Sequence, residues 1–354
     1  MKKKVLAAMS GGVDSSAAAL LLQEQGFEVV GATVKMFGNK DIGIQEPDTP
    51  KKDIVDAQEV AAKLQIEHHV LDFSSCFKRC VIDHFVDEYR RGRTPNPCVD
   101  CNKHIKFGIL FDEALKLGCD YLATGHYARV LYNESRSRWL LARADDANKD
   151  QSYMLFNLTQ EQLSHILFPL ANLSKDAIRA KAESKGLVVA NKPDSQDICF
   201  VPDGDYAKVI NRLGIKSRPG KFVHINGEVL GTHRGQIHYT IGQRKGLGLA
   251  YAYPLYVIRK DIGRNQVILG PNEALFQQDL WARDVNFIAI EALTQPLKVT
   301  AKTRYRQKDV PATIEPAADG RVHVIFDEPQ RAITPGQAVV FYDGNYVVGG
   351  GIIE

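Results

Sequence analysis

The chain lacks the marks of a membrane or secreted protein. No apolar run approaches the ~18 residues that a bilayer-crossing helix needs, and the start Lys2-Lys3-Lys4 leads into a strand-like run with no cleavage-type segment. A cytoplasmic protein with no membrane partner is expected. Net charge is only +3 over 354 residues, so a nucleic acid would have to be held by local basic patches and not by overall attraction. The two commonest nucleotide loops are missing. The near miss to G-x-x-x-x-G-K-[ST], Gly214 to Lys221, has one residue too many and puts Phe222 where the hydroxyl belongs; no G-x-G-x-x-G opens a helix. Internal repeats and low-complexity tracts are also absent. The six cysteines, at 76, 80, 98, 101, 119 and 199, suit reduced thiols used for catalysis or metal binding and not a disulfide framework.

What is present begins at the first apolar run. Val5 to Met9 reads as a buried parallel strand, and Ala17 to Gln25, closed by Gly26, as a helix. Between them lies Ser10-Gly11-Gly12-Val13-Asp14-Ser15-Ser16. A strand, a Gly-rich turn and a helix aim backbone N–H groups and the positive end of a helix dipole at an anion. Ser10, Gly11, Gly12, Asp14, Ser15 and Ser16 are therefore candidate ligands of a nucleotide phosphate. The two glycines would let the backbone approach, the serines would add donors, and Asp14 could hold Mg²⁺. Val29 to Val34 completes a βαβ unit, placing Val34 to Phe37 over a nucleotide base. Residues 38–52 read as a loop, Asp53 to Leu64 as a helix and His68 to Asp72 as a strand. That alternation predicts a doubly wound α/β domain. The 44% apolar content and the length predict two or three domains.

Cys76 and Cys80 sit one helical turn apart and could join Cys98 and Cys101 in a zinc site, or be packed helix thiols. Cys119 is expected in the core. The stretch Thr94-Pro95-Asn96-Pro97-Cys98-Val99-Asp100-Cys101-Asn102 puts C-x2-C at a helix start, where the dipole favours a thiolate. Arg90, Arg91, Arg93, Lys103 and Lys106 push the same way and suit a phosphate backbone. Half of a metal knuckle and a redox pair remain open as alternatives. Tyr121 to Thr124 reads as a strand ending in Gly125-His126-Tyr127. Gly125 would leave room for a nucleotide, and His126 would be an acid or base, a substrate contact or a structural histidine. A hairpin is expected around Asn133 to Ser137, and Lys149-Asp150-Gln151-Ser152-Tyr153 reads as a surface run. Helices follow at Gln160 to Ile166 and Lys175 to Lys185. Cys199, in Asn191 to Phe200, has no sequence neighbour to pair with and invites pairing in space with Cys98 or Cys101.

From about Gly204 short strands take over, including the run His238 to Leu249. Five or six evenly spaced strands after Asp279, from Val299 to Tyr305 through Tyr346 to Val348, predict a small barrel. Lys302, Arg304, Arg306 and Lys308 alternate around Tyr305 as a cationic strip that could grip a nucleic acid, or as a solvated face.

Together these blocks resemble the bacterial tRNA-specific 2-thiouridylase family over the full length. They are the PP-loop of ATP pyrophosphatases at 10–15, Thr94 to Pro97 with Cys101-Asn102, Ala123 to Tyr127, Lys149 to Tyr153, Ser195 to Phe200 and His238 to Leu249. The resemblance implies a PP-loop catalytic domain over 1–205, a small, mostly β central domain over 206–278 and a tRNA-contacting β-barrel over 279–354. It implies ATP-dependent 2-thiolation of the wobble uridine of tRNAs for Lys, Glu and Gln. The uracil C2 oxygen is adenylated, a persulfide carried on Cys199 supplies sulfur, and Cys101 is the nucleophile. By the same likeness Ala8 to Ser15, Val34 and Gly125 bind ATP. Asn96, Pro97 and Cys98 lie near the target base, and His126, Lys149, Asp150, Gln151, Arg304, Tyr305 and Gln337 face the tRNA. A persulfide relay protein or a cysteine desulfurase would be a partner. Some members carry Asp where this chain has Cys98. The change creates a Cys98, Cys101, Cys199 set that could hold an iron-sulfur cluster. A glutamine-dependent amidotransferase would need an amide-hydrolysing domain and an N-terminal cysteine, and neither is expected here. An RNA-binding or sulfur-carrier protein without catalysis would not need the ATP loop.

Overall fold

Alternate residues of the first strand face two different cores. In β1 (Lys4–Ala8) Val5 and Ala7 pack into one apolar cluster and Leu6 into another across the sheet, the two-sided burial of a parallel strand. The computed structural model describes residues 2–48, 51–193, 197–201 and 203–354. After β1 come α1 (Val13–Glu24), β2 (Glu28–Lys35), α2 (Lys52–Leu64) and β3 (Glu67–Asp72). Short helices follow: α3 (Ser74–Phe77), α4 (His84–Arg90), α5 (Pro97–Asp100) and α6 (Leu110–Lys116). They are joined by π-helical turns at Lys78–Asp83 and Cys101–Ile109. Next are β4 (Tyr121–Ala123), the hairpin β5 (Ala128–Asn133) and β6 (Arg138–Arg143), α7 (Gln160–Ser164), β7 (Ile166–Leu167) and α8 (Lys175–Ser184). The sheet β3-β2-β1-β4-β7 is parallel throughout. The expected doubly wound domain is therefore present. Its one misjudged helix is that at 160–166, which ends at Ser164 and lets Ile166 pair with Leu122.

α9 (Tyr206–Arg212) leads into a second sheet of β8 (Gly220–His224), β9 (Val229–His233), β10 (Tyr256–Asp261) and β11 (Gln266–Gly270), in the order β10-β11-β8-β9. Residues 238–249, expected to continue the strands, form a loop in which Gly242, Gly246 and Gly248 take positive φ. The third unit comprises β12 (Phe276–Phe287), β13 (Leu297–Lys302), β14 (Val310–Pro316), β15 (Val322–Arg331), β16 (Ala338–Asp343) and β17 (Tyr346–Ile353). Pairing of β12 with β17 closes it into a barrel. β12 runs across the expected boundary at 278/279, so the barrel begins at Phe276. The strand expected to reach Tyr305 stops at Lys302.

The hairpin β5–β6 continues the barrel's sheet through Tyr346 and Ala142, so the first domain and the barrel share backbone pairing. Their apolar core is also continuous: Phe107, Tyr153 and Phe156 pack in one cluster with Ala338, Val340 and Tyr342. Polar contacts reinforce the joint. Tyr153 donates to the Ala338 carbonyl at 2.8 Å, Thr94 N–H to the Pro335 carbonyl at 2.9 Å, and Arg143 pairs with Asp309 at 2.9 Å. Glu88, only 2% exposed, faces Arg91, Arg93 and the barrel's Arg283 at 3.5–3.8 Å.

Candidate functional site

The Ser10–Ser15 turn is shaped from within. Ser10 N–H donates to Ser15 Oγ at 3.0 Å, and the Ser15 and Ser16 hydroxyls donate to the Gly12 carbonyl at 3.1 and 2.9 Å. Those hydroxyls, expected as ligand donors, are spent on the turn. Gly12 caps α1 without a side chain, so the first-turn N–H groups have no side-chain cap and suit an anion's oxygens. The two glycines differ. A Cβ on Gly12 would meet only Ser10 Oγ at 3.5 Å, whereas Gly11, at φ +71°, lies against the Asp53 backbone of α2. Gly125, expected to make room for a nucleotide, instead makes room for the turn: its Cβ would lie 2.8 Å from the Asp14 carbonyl carbon and from Ser15 N.

Three cations or donors that the sequence left unassigned surround this turn. Tyr127 OH and Lys175 Nζ both donate to Asp14 Oδ1 at 2.7 Å. The carboxylate expected to hold Mg²⁺ is therefore already the counter-charge of a lysine only 9% exposed. Lys192 donates to the Gly11 carbonyl at 2.8 Å and pairs with Asp53 and Asp56 at 2.7 and 2.6 Å. It ties the stretch that ends at Pro193 directly to the turn. Val34 is half-buried at the end of β2. Phe37 does not offer a free face to a base, since Lys51 lies 3.3 Å over its ring and Phe77 stacks at 5.8 Å.

Three of the thiols share the influence of Lys106. Asn96 caps α5, accepting from Cys98 N–H at 3.2 Å, and Pro97 fills the first turn. Cys98 is exposed, Cys101 is 8% exposed, and Cys199 is exposed in the segment whose Phe200 is buried against Phe77 and Phe85. Cys101 feels the charge of Cys199 and Cys98, Cys199 feels that of Cys98, and Lys106 acts on all three. The structure therefore brings Cys98, Cys101 and Cys199 together. It does not make them thiolates at rest. Burial outweighs Lys106, pushing Cys101 up to about 12 and Cys199 up to about 11 and raising Cys98. Desolvated yet solvent-touching sulfurs are what the floor of a cleft produces. Tyr305, from the turn after β13, is close enough to Cys98 to feel its charge. Among the described residues no three His, Cys, Asp or Glu side chains converge on a metal position. Cys76, Cys80, Cys98 and Cys101 are therefore not set as a four-cysteine zinc site. Cys76 and Cys80 face each other at 3.9 Å away from this set, and Cys119 is in the core as expected. Ser195 and Gln196, with Asp194, lie outside the described residues.

Several residues expected to face an RNA point inward. His126 is 8% exposed; its ring accepts from Lys106 Nζ at 3.4 Å through Nε2, which leaves Nδ1–H to donate to Thr124 Oγ1 at 2.7 Å. Burial and Lys106 hold it well below its ordinary pKa, and so neutral. The 149–153 run is not a surface run. Asp150 is 7% exposed and accepts from Ala144 N–H, Ser152 N–H and Ser152 Oγ at 3.2, 3.2 and 2.9 Å, while Gln151 exchanges two bonds with the Tyr127 backbone. Lys149 N–H donates to the Asp146 carbonyl at 3.0 Å. Arg304 lies in a turn, not on a strand face, and donates to the Ile241 and Ala332 carbonyls and to Thr334 Oγ1 at 3.2, 3.0 and 2.7 Å. Gln337 donates to the Thr94 carbonyl at 2.7 Å.

Asp150→Ala strands two buried N–H groups and is expected to cost about 3 kcal/mol of unfolding free energy. Denaturant titration followed by tRNA binding checks this: affinity per folded molecule should stay within about twofold if Asp150 acts only through structure.

Family models match three consecutive parts of the chain. They are a tRNA methyl transferase HUP domain over residues 3–203, a tRNA methyl transferase PRC-barrel domain over 208–271 and an aminomethyltransferase beta-barrel domain over 277–353. Relatives called tRNA-specific 2-thiouridylase MnmA align along the whole chain. The protein from Acetivibrio thermocellus is 51% identical, covering 100% of this chain and 99% of its own. That from Clostridioides difficile is 50% identical, covering 100% and 99%. A third, from Caldanaerobacter subterraneus subsp. tengcongensis, is 52% identical, covering 99% and 98%.

Proposed function

The chain belongs to the tRNA-specific 2-thiouridylase family, and on that footing we propose that it is a tRNA sulfurtransferase that makes 2-thiouridine at the wobble position of tRNAs for Lys, Glu and Gln. ATP occupies the cleft over the Ser10–Ser15 turn and α1. The poor leaving group at uracil C2 is converted to an AMP ester, and pyrophosphate stays on the first-turn N–H groups. A relay protein or a cysteine desulfurase loads Cys199 as a persulfide. The Cys101 thiolate attacks Cys199 Sγ, the terminal sulfur leaves with the bonding pair as HS⁻, and a Cys101–Cys199 disulfide forms. HS⁻ adds to C2 and AMP departs, after which an external dithiol reduces the disulfide. Magnesium would accompany ATP as its counter-ion.

The observation that supports this best is that Cys101 and Cys199 both feel the charge of Lys106, in the same matched domain as the Ser10–Ser15 turn. A dedicated thiol pair joined to a nucleotide loop is what activation followed by sulfur transfer needs. The test is incubation with ATP, Mg²⁺, a small-molecule persulfide and unmodified tRNA, followed by nucleoside analysis. 2-Thiouridine that depends on ATP is expected. AMP formation without thiouridine, or thiouridine formed equally without ATP, overturns the proposal.

A further inference from the structure

Lys106 stands five residues after Cys101, and in a regular α-helix that spacing would turn it about 140° away from the thiol. The Cys101–Ile109 segment runs instead in i→i+5 turns, released at Gly108 with φ −98° and ψ −105°. That register brings residues five apart to one side, a feature frequent at functional sites. The ammonium meets His126 Nε2 at 3.4 Å, and Thr124 fixes the ring so that Nε2 carries the lone pair. A neutral, buried acceptor seats the lysine without neutralising it.

Building on the thiolation proposal, we propose that Lys106 is the counter-cation shared by the sulfur intermediates, pairing first with the Cys101 thiolate and then with the departing hydrosulfide, with His126 as its positioning residue. No electrons move to or from the lysine; it holds negative charge where each step develops it. The charged and titratable groups facing these sulfurs are few. Cys101 is faced by Lys106, Cys199, Cys98 and Asp100; Cys199 by Cys98, Lys106 and Lys51. Cys98 is faced by Lys106, Asp100 and Tyr305. Among the described residues, Lys106 is the cation that acts on all three.

The test is alkylation by iodoacetamide at each cysteine, mapped by mass spectrometry on the full-length protein from about pH 6 to about pH 10, which needs neither ATP nor tRNA. Lys106→Met is expected to move the Cys101 and Cys199 profiles up by about one pH unit, about tenfold slower at fixed pH, while Lys106→Arg stays within about twofold of the parent. Cys76 and Cys80 should keep their profiles in all variants. Unchanged Cys101 and Cys199 profiles in Lys106→Met overturn the proposal, as does an equal shift in Lys106→Arg. If Lys106→Met exposes buried Cys119, Lys106→Gln replaces it under the same criteria. Failure here leaves the thiouridine assay untouched, and failure of that assay leaves these profiles readable.

Discussion

A Cys199→Ser protein is expected to bind tRNA with unchanged affinity and deliver no sulfur. The side chain is exposed, so exchanging Sγ for Oγ removes little packing, and no phosphate contact goes with it. What goes is the sulfur proposed to carry the persulfide: a serine hydroxyl is not a nucleophile toward sulfur at these pH values and carries no S–S bond. The expected loss is at least about a thousandfold in thiouridine formed. Cys101→Ser should fail differently, keeping a loaded persulfide on Cys199 that mass spectrometry detects as an added sulfur. In the parent both thiols are raised, Cys199 to about 11 and Cys101 to about 12. The attacking thiol is Cys101, and pushed up to about 12 only a very small fraction of it is ionised at pH 7. Single-turnover transfer should therefore rise with pH through the neutral range, close to tenfold per unit while the thiolate fraction limits it. Retained thiolation by Cys199→Ser would remove this residue from the mechanism, and a pH-independent rate would remove thiolate formation from the limiting step.

What could be read along the chain was whatever local dihedral preference encodes. The expected strand at Val29 to Val34 lies within β2, the helix at Asp53 to Leu64 matches α2, and His68 to Asp72 lies within β3. Contiguous residues set each of those patterns, and nothing distant overrides them. The site was legible only as a set of parts. Cys98 and Cys101 announced themselves by spacing, but Lys106 did not, because its face depends on a π register that periodicity does not report. Asp150 and Arg304 carry the composition of surface residues, yet partners about six residues and about thirty residues or more away turn them inward; a buried carboxylate with three donors costs little, and no single-residue propensity anticipates that. The hairpin β5–β6 looked self-contained, and its bridge to β17 spans half the sequence. Non-local pairing of this kind leaves no local trace.

The glycines of the phosphate turn provide the sharpest separation between support and ligand contact. Gly11→Ala is expected to collapse the site: the backbone sits at φ +71°, where an L side chain is strained, and the new methyl would press on the Asp53 backbone, 2.8 Å from its Cα. Together these cost about 3–4 kcal/mol, of which strain supplies about 1–2 and overpacking the rest. Gly125→Ala meets the Asp14 and Ser15 backbone at 2.8 Å without a φ penalty, so about 2–3 kcal/mol is expected, with α1 pushed from its sheet. Gly12→Ala has open space and φ −103°. Its cost without nucleotide should be within about 1 kcal/mol, the difference between alanine and glycine as an N-cap. Yet that is the position whose Cβ would stand where a phosphate approaches. Thermal unfolding with and without ATP distinguishes the three: Gly11→Ala and Gly125→Ala should melt several degrees lower in both states, whereas Gly12→Ala should melt like the parent alone and lose the ATP-induced rise. If Gly12→Ala keeps that rise in full, the phosphates do not sit over the α1 N-terminus, and adenylation would have to be placed elsewhere in the cleft.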